Sequence, residues 1–101
     1  MSVPTSDEYG RLKYLNNPTI RTMSGSSATS TALAPGLYEI TADGDCYFKQ
    51  GASSVTATTS SNPLWSKTAR LVHVETTADN GYIAVIMATG TGNLYIIKRE
   101  S

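Results

Sequence analysis

Residues 79–97 read DNGYIAVIMATGTGNLYII, and this stretch decides the fold class. Residues 82–88 form a near-continuous apolar run, which is typical of a central strand with both faces covered. The pair Asn80-Gly81 precedes the run and predicts a β-hairpin, because both residues tolerate positive φ. A Thr-Gly turn follows, and residues 94–98 (LYIIK) are predicted to pair antiparallel with the run. We expect these two strands to supply much of the core.

Further β segments precede this stretch, and turn residues separate them at fairly regular spacing. They are residues 37–41 (LYEIT), 46–50 (CYFKQ), 55–59 as a weaker strand, and 69–75 (ARLVHVE). In the last of these the alternation does not decide which face is buried. No segment after residue 33 keeps a helical period for about ten residues. The pattern predicts an all-β fold, a small antiparallel β-sandwich that is jelly-roll-like or a partly open barrel.

Residues 1–33 have a different character, so we place a boundary there and assign residues 34–101 to the β-sandwich domain. Prolines and glycines interrupt them, and residues 22–31 are almost entirely Ser, Thr, Gly and Ala, a linker composition. We interpret residues 1–33 as an extended N-terminal arm with a Ser/Thr-rich linker. Its apolar and basic side chains are candidate partner-binding residues: Tyr9, Arg11, Leu12, Lys13, Tyr14, Leu15, Ile20 and Arg21.

Composition argues against several classes of function. Lys and Arg number 8 and Asp and Glu number 8, so no net charge draws the chain to nucleic acid or to anionic membranes. One cysteine permits neither an internal disulfide nor a thiolate zinc cluster. The sequence shows no apolar run of spanning length and no signal peptide, so we expect synthesis in the cytoplasm.

Catalytic and metal-binding patterns are equally sparse, and we expect no catalytic residue, no cofactor and no metal. His73 is the only histidine and lies between two valines in a predicted strand. Cys46 has no basic neighbour to lower its pKa, which indicates a small core side chain. Asp43 and Asp45 flank Gly44, where a hairpin turn calls for such residues. The expectation is a protein that is not an enzyme.

Trp65 leaves two interpretations open, a core plug at one end of the sandwich or an exposed anchor for a partner, and we favour the plug.

The stability expected of so small a domain also indicates a partner. A β region of about 70 residues without disulfides or metal rarely gains more than about 3–5 kcal/mol from its own core. Self-association or docking on a larger scaffold would supply further stability.

The order of these segments carries a resemblance. The run APGLYEITADGDCYFKQGASSVTATTSSNPLW, followed by NGYIAVIMATGTGNLYI, resembles a group of small tailed-bacteriophage virion proteins with a β-sandwich that recurs in capsid decoration, or cement, proteins. The shared features are a glycine-led first strand, an Asp-Cys pair, a glycine turn, a Pro-Leu pair after a Ser/Thr-rich strand, and the closing apolar strands. The resemblance covers roughly residues 34–98 and excludes the arm.

The resemblance implies a structural role in the virion, on the capsid surface, after synthesis in the host cytoplasm. The partner would be the major capsid protein, whose neighbouring subunits the domain would bridge, and the protein would be a homo-oligomer, a dimer or trimer. Deleting residues 2–31 is then expected to leave the domain folded but to abolish capsid binding. The alternatives are a collar or tail accessory component, a carbohydrate or host-receptor binding module using Tyr47, Trp65 or Tyr95, and, as an enzyme, a small hydrolase.

Overall fold

The computed structural model describes residues 18–100. Over this range the chain forms eight strands and one short helix. In chain order they are β1 (Thr19–Met23), β2 (Ala28–Thr29), β3 (Gly36–Ala42), β4 (Cys46–Gly51), β5 (Asn62–Leu64), β6 (Ala69–Val74), α1 (Thr77–Asn80), β7 (Tyr82–Ile86) and β8 (Gly92–Glu100).

The strands form two four-stranded antiparallel sheets. The front sheet has the order β1-β8-β3-β6, and the back sheet has the order β2-β7-β4-β5. The first strand of the chain pairs with the last, and the remaining strands pair in the same nested order: β1 with β8, β2 with β7, β3 with β6, and β4 with β5. This winding is that of an eight-stranded jelly roll. The all-β, sandwich-type fold predicted from the sequence is confirmed, in its jelly-roll form.

The core lies between the sheets and consists of the inward side chains of both. β3 alternates strictly, with Gly36, Tyr38, Ile40 and Ala42 buried. As expected, the apolar run in β7 is covered on both faces, since three consecutive residues there are fully buried, and β8 supplies two further inward residues. These five side chains, each 1% exposed or less, are Ile83, Ala84, Val85, Leu94 and Ile96.

The Asn80-Gly81 pair does not form the hairpin that the sequence predicts. β6 lies in the front sheet and β7 in the back sheet, so the connection crosses from one sheet to the other through α1. The Asn80 side chain accepts the backbone amides of Glu75 (2.9 Å) and Thr76 (3.3 Å). Neither residue of the pair adopts positive φ. Gly81 is needed for space, because a Cβ there would lie 2.6 Å from the carbonyl oxygen of Thr77.

The predicted pairing of the last two strands is also wrong. β7 pairs with β2 and β4, whereas β8 pairs with β1 and β3. The intervening Thr-Gly turn therefore spans the two sheets, with Gly90 at a φ of +79°. The Asp43-Gly44-Asp45 corner likewise joins β3 in the front sheet to β4 in the back sheet. These residues form turns, as predicted. Turn residues alone do not determine whether the two strands they join are neighbours in one sheet.

The start of the domain differs from the boundary at residue 33. β1 pairs with β8 from Thr19 to Met23, and β2 pairs with β7. Met23 is fully buried and Leu33 is 5% exposed. Two strands of the sandwich thus lie in a region whose Ser/Thr-rich composition is typical of a linker, because short edge strands gain their stability from tertiary pairing. A deletion of residues 2–31 would remove both strands, so it does not test the arm alone.

The weak strand expected at residues 55–59 is instead part of an irregular loop, residues 52–61, that covers the outer surface of the back sheet. The backbone amide of Ala57 donates to Ser27 Oγ (2.9 Å), and Thr29 Oγ1 donates to the carbonyl of Val55 (3.2 Å). Beneath the loop, Ala84 is fully buried although its side chain points away from the core. The part of the back sheet around β2 and β7 is therefore covered by the chain itself.

Candidate functional site

The outer surface of the front sheet carries several apolar side chains. The alternation in β3 and β6 and the register of the strands place these residues on one side, away from the core. We call this surface the open face, and its apolar members are Ile20, Leu37, Leu71, Tyr95 and Ile97. Ile20 is 56% exposed and Leu71 is 58% exposed.

The register explains how residues distant in sequence meet on the open face. Ile20 lies opposite Tyr95, which in turn lies opposite Thr41. One row along, Ile97 lies opposite Glu39, and Glu39 lies opposite Leu71 on its other side. Each row thus crosses the sheet from one strand to the next. Cross-strand neighbours on one face stand close enough for their side chains to touch, so Ile20 meets Tyr95, whereas Glu39 lies between Ile97 and Leu71.

A salt bridge lies in the middle of the open face. Arg99 donates to the carboxylate of Glu39, and the two side chains are only 14% and 18% exposed. An ion pair screened in this way from water retains more of its Coulomb attraction than a fully exposed pair. The open face therefore combines apolar side chains with one pair of opposite charges in a fixed position.

Of the partner-binding residues proposed from the sequence, Tyr9, Arg11, Leu12, Lys13, Tyr14 and Leu15 lie outside the described residues. Ile20 lies on the open face, while Arg21, the next residue along β1, is exposed on the other side of this edge strand. The sequence alone does not identify Leu71 as a surface residue. The alternation in β6 was visible, yet only the fold decides that Val72 and Val74 face inward and that Leu71 and His73 face outward.

The candidate catalytic residues are not brought together. His73 is exposed on the open face, whereas Cys46 is fully buried against the core side of the back sheet. Burial, together with the negative charges of Asp45 and Asp43, raises the pKa of the Cys46 thiol to about 11. A thiol with this pKa holds its proton at neutral pH and is a poor nucleophile.

The two aspartates serve as acceptors for backbone amides. Asp43 Oδ1 accepts the amide of Asn93 (2.7 Å), and Asp45 Oδ1 accepts the amide of Ser66 (2.7 Å). Each bond ties the β3–β4 corner to another connection at the same end of the sandwich. Within residues 18–100 no three His, Cys, Asp or Glu side chains lie together in a way that could hold a metal ion. No helix in this range is long and apolar enough to cross a membrane.

A pocket of about 220 Å³ opens at the other end of the sandwich, near the start of β1. Leu33, Tyr38 and Ile96 line it, and the ammonium group of Lys98 lies 5.9 Å from the centroid of the Tyr38 ring. The Tyr38 hydroxyl donates to the carbonyl of Ala34 (2.6 Å). The pocket is smaller than the roughly 300–1,000 Å³ that small-molecule sites usually provide, so the open face is the stronger candidate.

Trp65 is 53% exposed, which overturns its interpretation as a core plug. Its ring lies edge-on to Tyr47, with 6.5 Å between the ring centroids and 73° between the ring planes. The end of the sandwich is closed by the Asp43 and Asp45 hydrogen bonds and not by the indole.

Comparisons of the chain with protein-family models, with curated proteins and with solved structures give no match.

Proposed function

We propose that this protein is a phage virion structural protein of the capsid decoration type, and that it binds capsid protein through the open face. The observation that supports the proposal is the asymmetry between the two sheets. Residues 52–61 cover the part of the back sheet around β2 and β7, whereas within residues 18–100 no loop hydrogen bond of this kind covers Ile20 and Leu71, which are more than half exposed on the front sheet. Exposed apolar patches are typical of protein interaction sites.

The architecture is compatible with this role. Jelly rolls occur in viral capsid, lectin and cupin domains, and since a fold does not by itself determine function, the proposal depends on the open face. The partner surface that fits it is an apolar protein surface with charged groups positioned to meet Glu39 and Arg99. The virion assignment comes from the sequence resemblance over residues 34–98.

In this proposal the domain acts mechanically. It binds where neighbouring capsid subunits meet, so that separating the subunits also requires breaking the contacts of the open face. Residues 1–17 precede β1 in the sequence, and β1 is the edge strand of the front sheet. We propose that their tyrosines and leucines contact the adjacent subunit or a sister copy. Many weak contacts sum on a symmetric lattice, because binding at one site raises the effective concentration at the next.

Co-sedimentation with capsids of the virus whose genome encodes the chain tests the proposal. Leu71→Asp places a charge in the open face at an exposed position, so it is expected to leave the fold intact and to abolish co-sedimentation. Ser53→Asp is the matched control, because it adds the same charge on the exposed loop over the back sheet. Equal binding of Leu71→Asp and the wild type would contradict the proposed surface.

A second experiment separates the arm from the domain. Deleting residues 2–17 removes none of the eight strands, so the truncated protein is expected to fold and to lose most of its capsid occupancy. Sedimentation equilibrium on both proteins reports whether the chain is a dimer or trimer in solution. A full-length protein that is a strict monomer and does not sediment with capsids would overturn the proposal.

A collar or tail accessory role uses the same surface on a different lattice. Immunogold labelling of intact virions distinguishes these locations, since a decoration protein labels the whole shell and a collar or tail component labels one vertex. We further propose that the protein carries out no catalysis, because the fold separates its only histidine from its only cysteine.

A further inference from the structure

Trp65 is displayed on a turn that is held unusually firmly for an exposed segment. It follows β5, and residues 65–68 connect that strand to β6. The carbonyl of Trp65 accepts both the amide (3.1 Å) and the hydroxyl (2.6 Å) of Thr68. The amide of Lys67 donates to the carbonyl of Ala42 (2.9 Å), and Thr41 Oγ1 donates to the carbonyl of Thr68 (2.8 Å). The backbone beneath the indole is therefore fixed to the front sheet as well as to the back sheet.

The same turn stores backbone strain. Lys67 has a φ of +64° and is the one non-glycine residue at positive φ within residues 18–100. A non-glycine residue in this region is strained and persists only where its surroundings hold it. Here the hydrogen bonds of residues 65–68 hold it. The backbone that carries Trp65 is therefore fixed.

Tyr47 supports the indole from one side. The two rings meet edge to face at 6.5 Å, an arrangement that aromatic quadrupoles favour. Tyr47 points outward from the back sheet, between Pro63 on β5 and Ile86 on β7. The pair consequently lies on the side of the sandwich opposite to the open face. Because Trp65 is 53% exposed despite this contact, it keeps apolar surface available to a ligand.

The exposed residues around Trp65 are polar, which distinguishes this site from the open face. They are Asp45, Lys67 and Thr68. A protein interface needs a buried apolar centre within about 800 Å² of contact per partner, and the apolar side chains on the same side as the indole, Tyr47, Pro63 and Ile86, are only partly exposed. A sugar ring has the matching chemistry, with an apolar C–H face of about the size of an indole and a rim of hydroxyls that hydrogen-bond.

We propose that Trp65 and Tyr47 form a binding platform for a saccharide, with the sugar ring stacked on the indole and its hydroxyls bonded to the polar side chains around it. This site is separate from the open face and does not depend on the proposed capsid role. If both hold, capsid contact through the front sheet leaves the platform directed outward, and an array of copies converts weak single-site affinity into firm attachment.

The chain contains one tryptophan, so intrinsic fluorescence reports on this site alone. The experiment screens the wild-type protein on an array of bacterial surface glycans and then titrates the best hit while following the Trp65 emission. We expect retention on the array and a saturable change in emission with a Kd in the millimolar range for one site. A hit that leaves the emission unchanged, or an array with no hit, overturns the proposal.

Two variants give a reciprocal test. Trp65→Ala changes an exposed side chain, so the thermal unfolding midpoint should stay close to the wild type while array retention falls at least tenfold. Trp65→Phe keeps an aromatic face and should restore part of the retention. Leu71→Asp on the open face should retain glycans normally. Loss of capsid co-sedimentation in Trp65→Ala with unchanged glycan retention would identify a protein-binding anchor and overturn the saccharide site.

Discussion

Asp43 and Asn93, fifty positions apart in the chain, are joined by two hydrogen bonds. The amide of Asn93 donates to Asp43 Oδ1 (2.7 Å), and the amide of Asp43 donates to the carbonyl of Asn93 (3.2 Å). The pair fastens the β3–β4 corner to the beginning of β8. The β3–β4 and β7–β8 connections both cross between the sheets at this end. The hydrogen bonds between Asp43 and Asn93 therefore keep one end of the jelly roll closed.

Replacing Asp43 should therefore weaken that end. Asp43→Ala removes the carboxylate acceptor and leaves the Asn93 amide to water, so we expect a loss of about 1 kcal/mol in the free energy of unfolding by urea. Asp43→Asn keeps an oxygen at the same position and should lose less. Equal losses in the two variants would show that the acceptor oxygen is not what matters.

Met23 tests whether the sandwich begins before residue 33. Its side chain is fully buried, so Met23→Ala should lower the free energy of unfolding by about 2–5 kcal/mol. The control is Ile20→Ala on the same strand, which removes an exposed side chain and should change stability by no more than about 0.5 kcal/mol. If residues 19–33 were a linker, both substitutions would be neutral in chemical denaturation.

Gly51 makes room for the loop over the back sheet. A Cβ at this position would lie 2.9 Å from Val55 Cγ2 and 3.0 Å from Val55 Cβ. Gly51→Ala should push Val55 outward, cost about 1–3 kcal/mol, and speed amide hydrogen exchange in residues 52–61. Gly25→Ala, with nothing within 4 Å of its Cβ, should leave exchange in the loop unchanged. Unaltered exchange in Gly51→Ala would mean that the loop does not rest on Val55.

We expect the buried thiol of Cys46 to lower the free energy of unfolding at alkaline pH. Burial, with the charges of Asp45 and Asp43, raises the pKa of the thiol from an ordinary value of 9.0 to about 11 in the folded protein. Below pH 9 the thiol is protonated in both states. Between pH 9 and 11 only the unfolded chain releases the proton, so the free energy of unfolding falls as the pH rises, by at most about 3 kcal/mol.

The measurement compares urea denaturation of the wild type and of Cys46→Ala from pH 8 to pH 11. Tyr38, whose pKa burial also raises, titrates in both proteins and cancels in the comparison. The difference in stability between the two proteins should shrink as the pH rises through this window. Parallel pH profiles would contradict the assignment to the thiol.

The local sequence pattern determines which segments form strands and which residues form turns. The strict alternation of β3 and the continuous apolar run of β7 follow from the period of two between side chains on one face, and these segments were identified without knowledge of their neighbours. Asp43 and Gly90 were likewise recognised as turn residues. These properties depend on each residue and its immediate sequence neighbours.

Pairing between strands was decided by the tertiary structure alone. Asn80-Gly81 is compatible with a tight hairpin and with a crossing between sheets, and the choice depends on whether β7 finds its partners in β2 and β4 or in β6. The same holds for the surfaces. The sequence shows that Leu71 and Val72 face opposite ways, but only packing of the front sheet on the back sheet decides that Val72 is buried and Leu71 is exposed. Burial is a property of the whole fold, because the area removed from water depends on contacts between segments far apart in the chain.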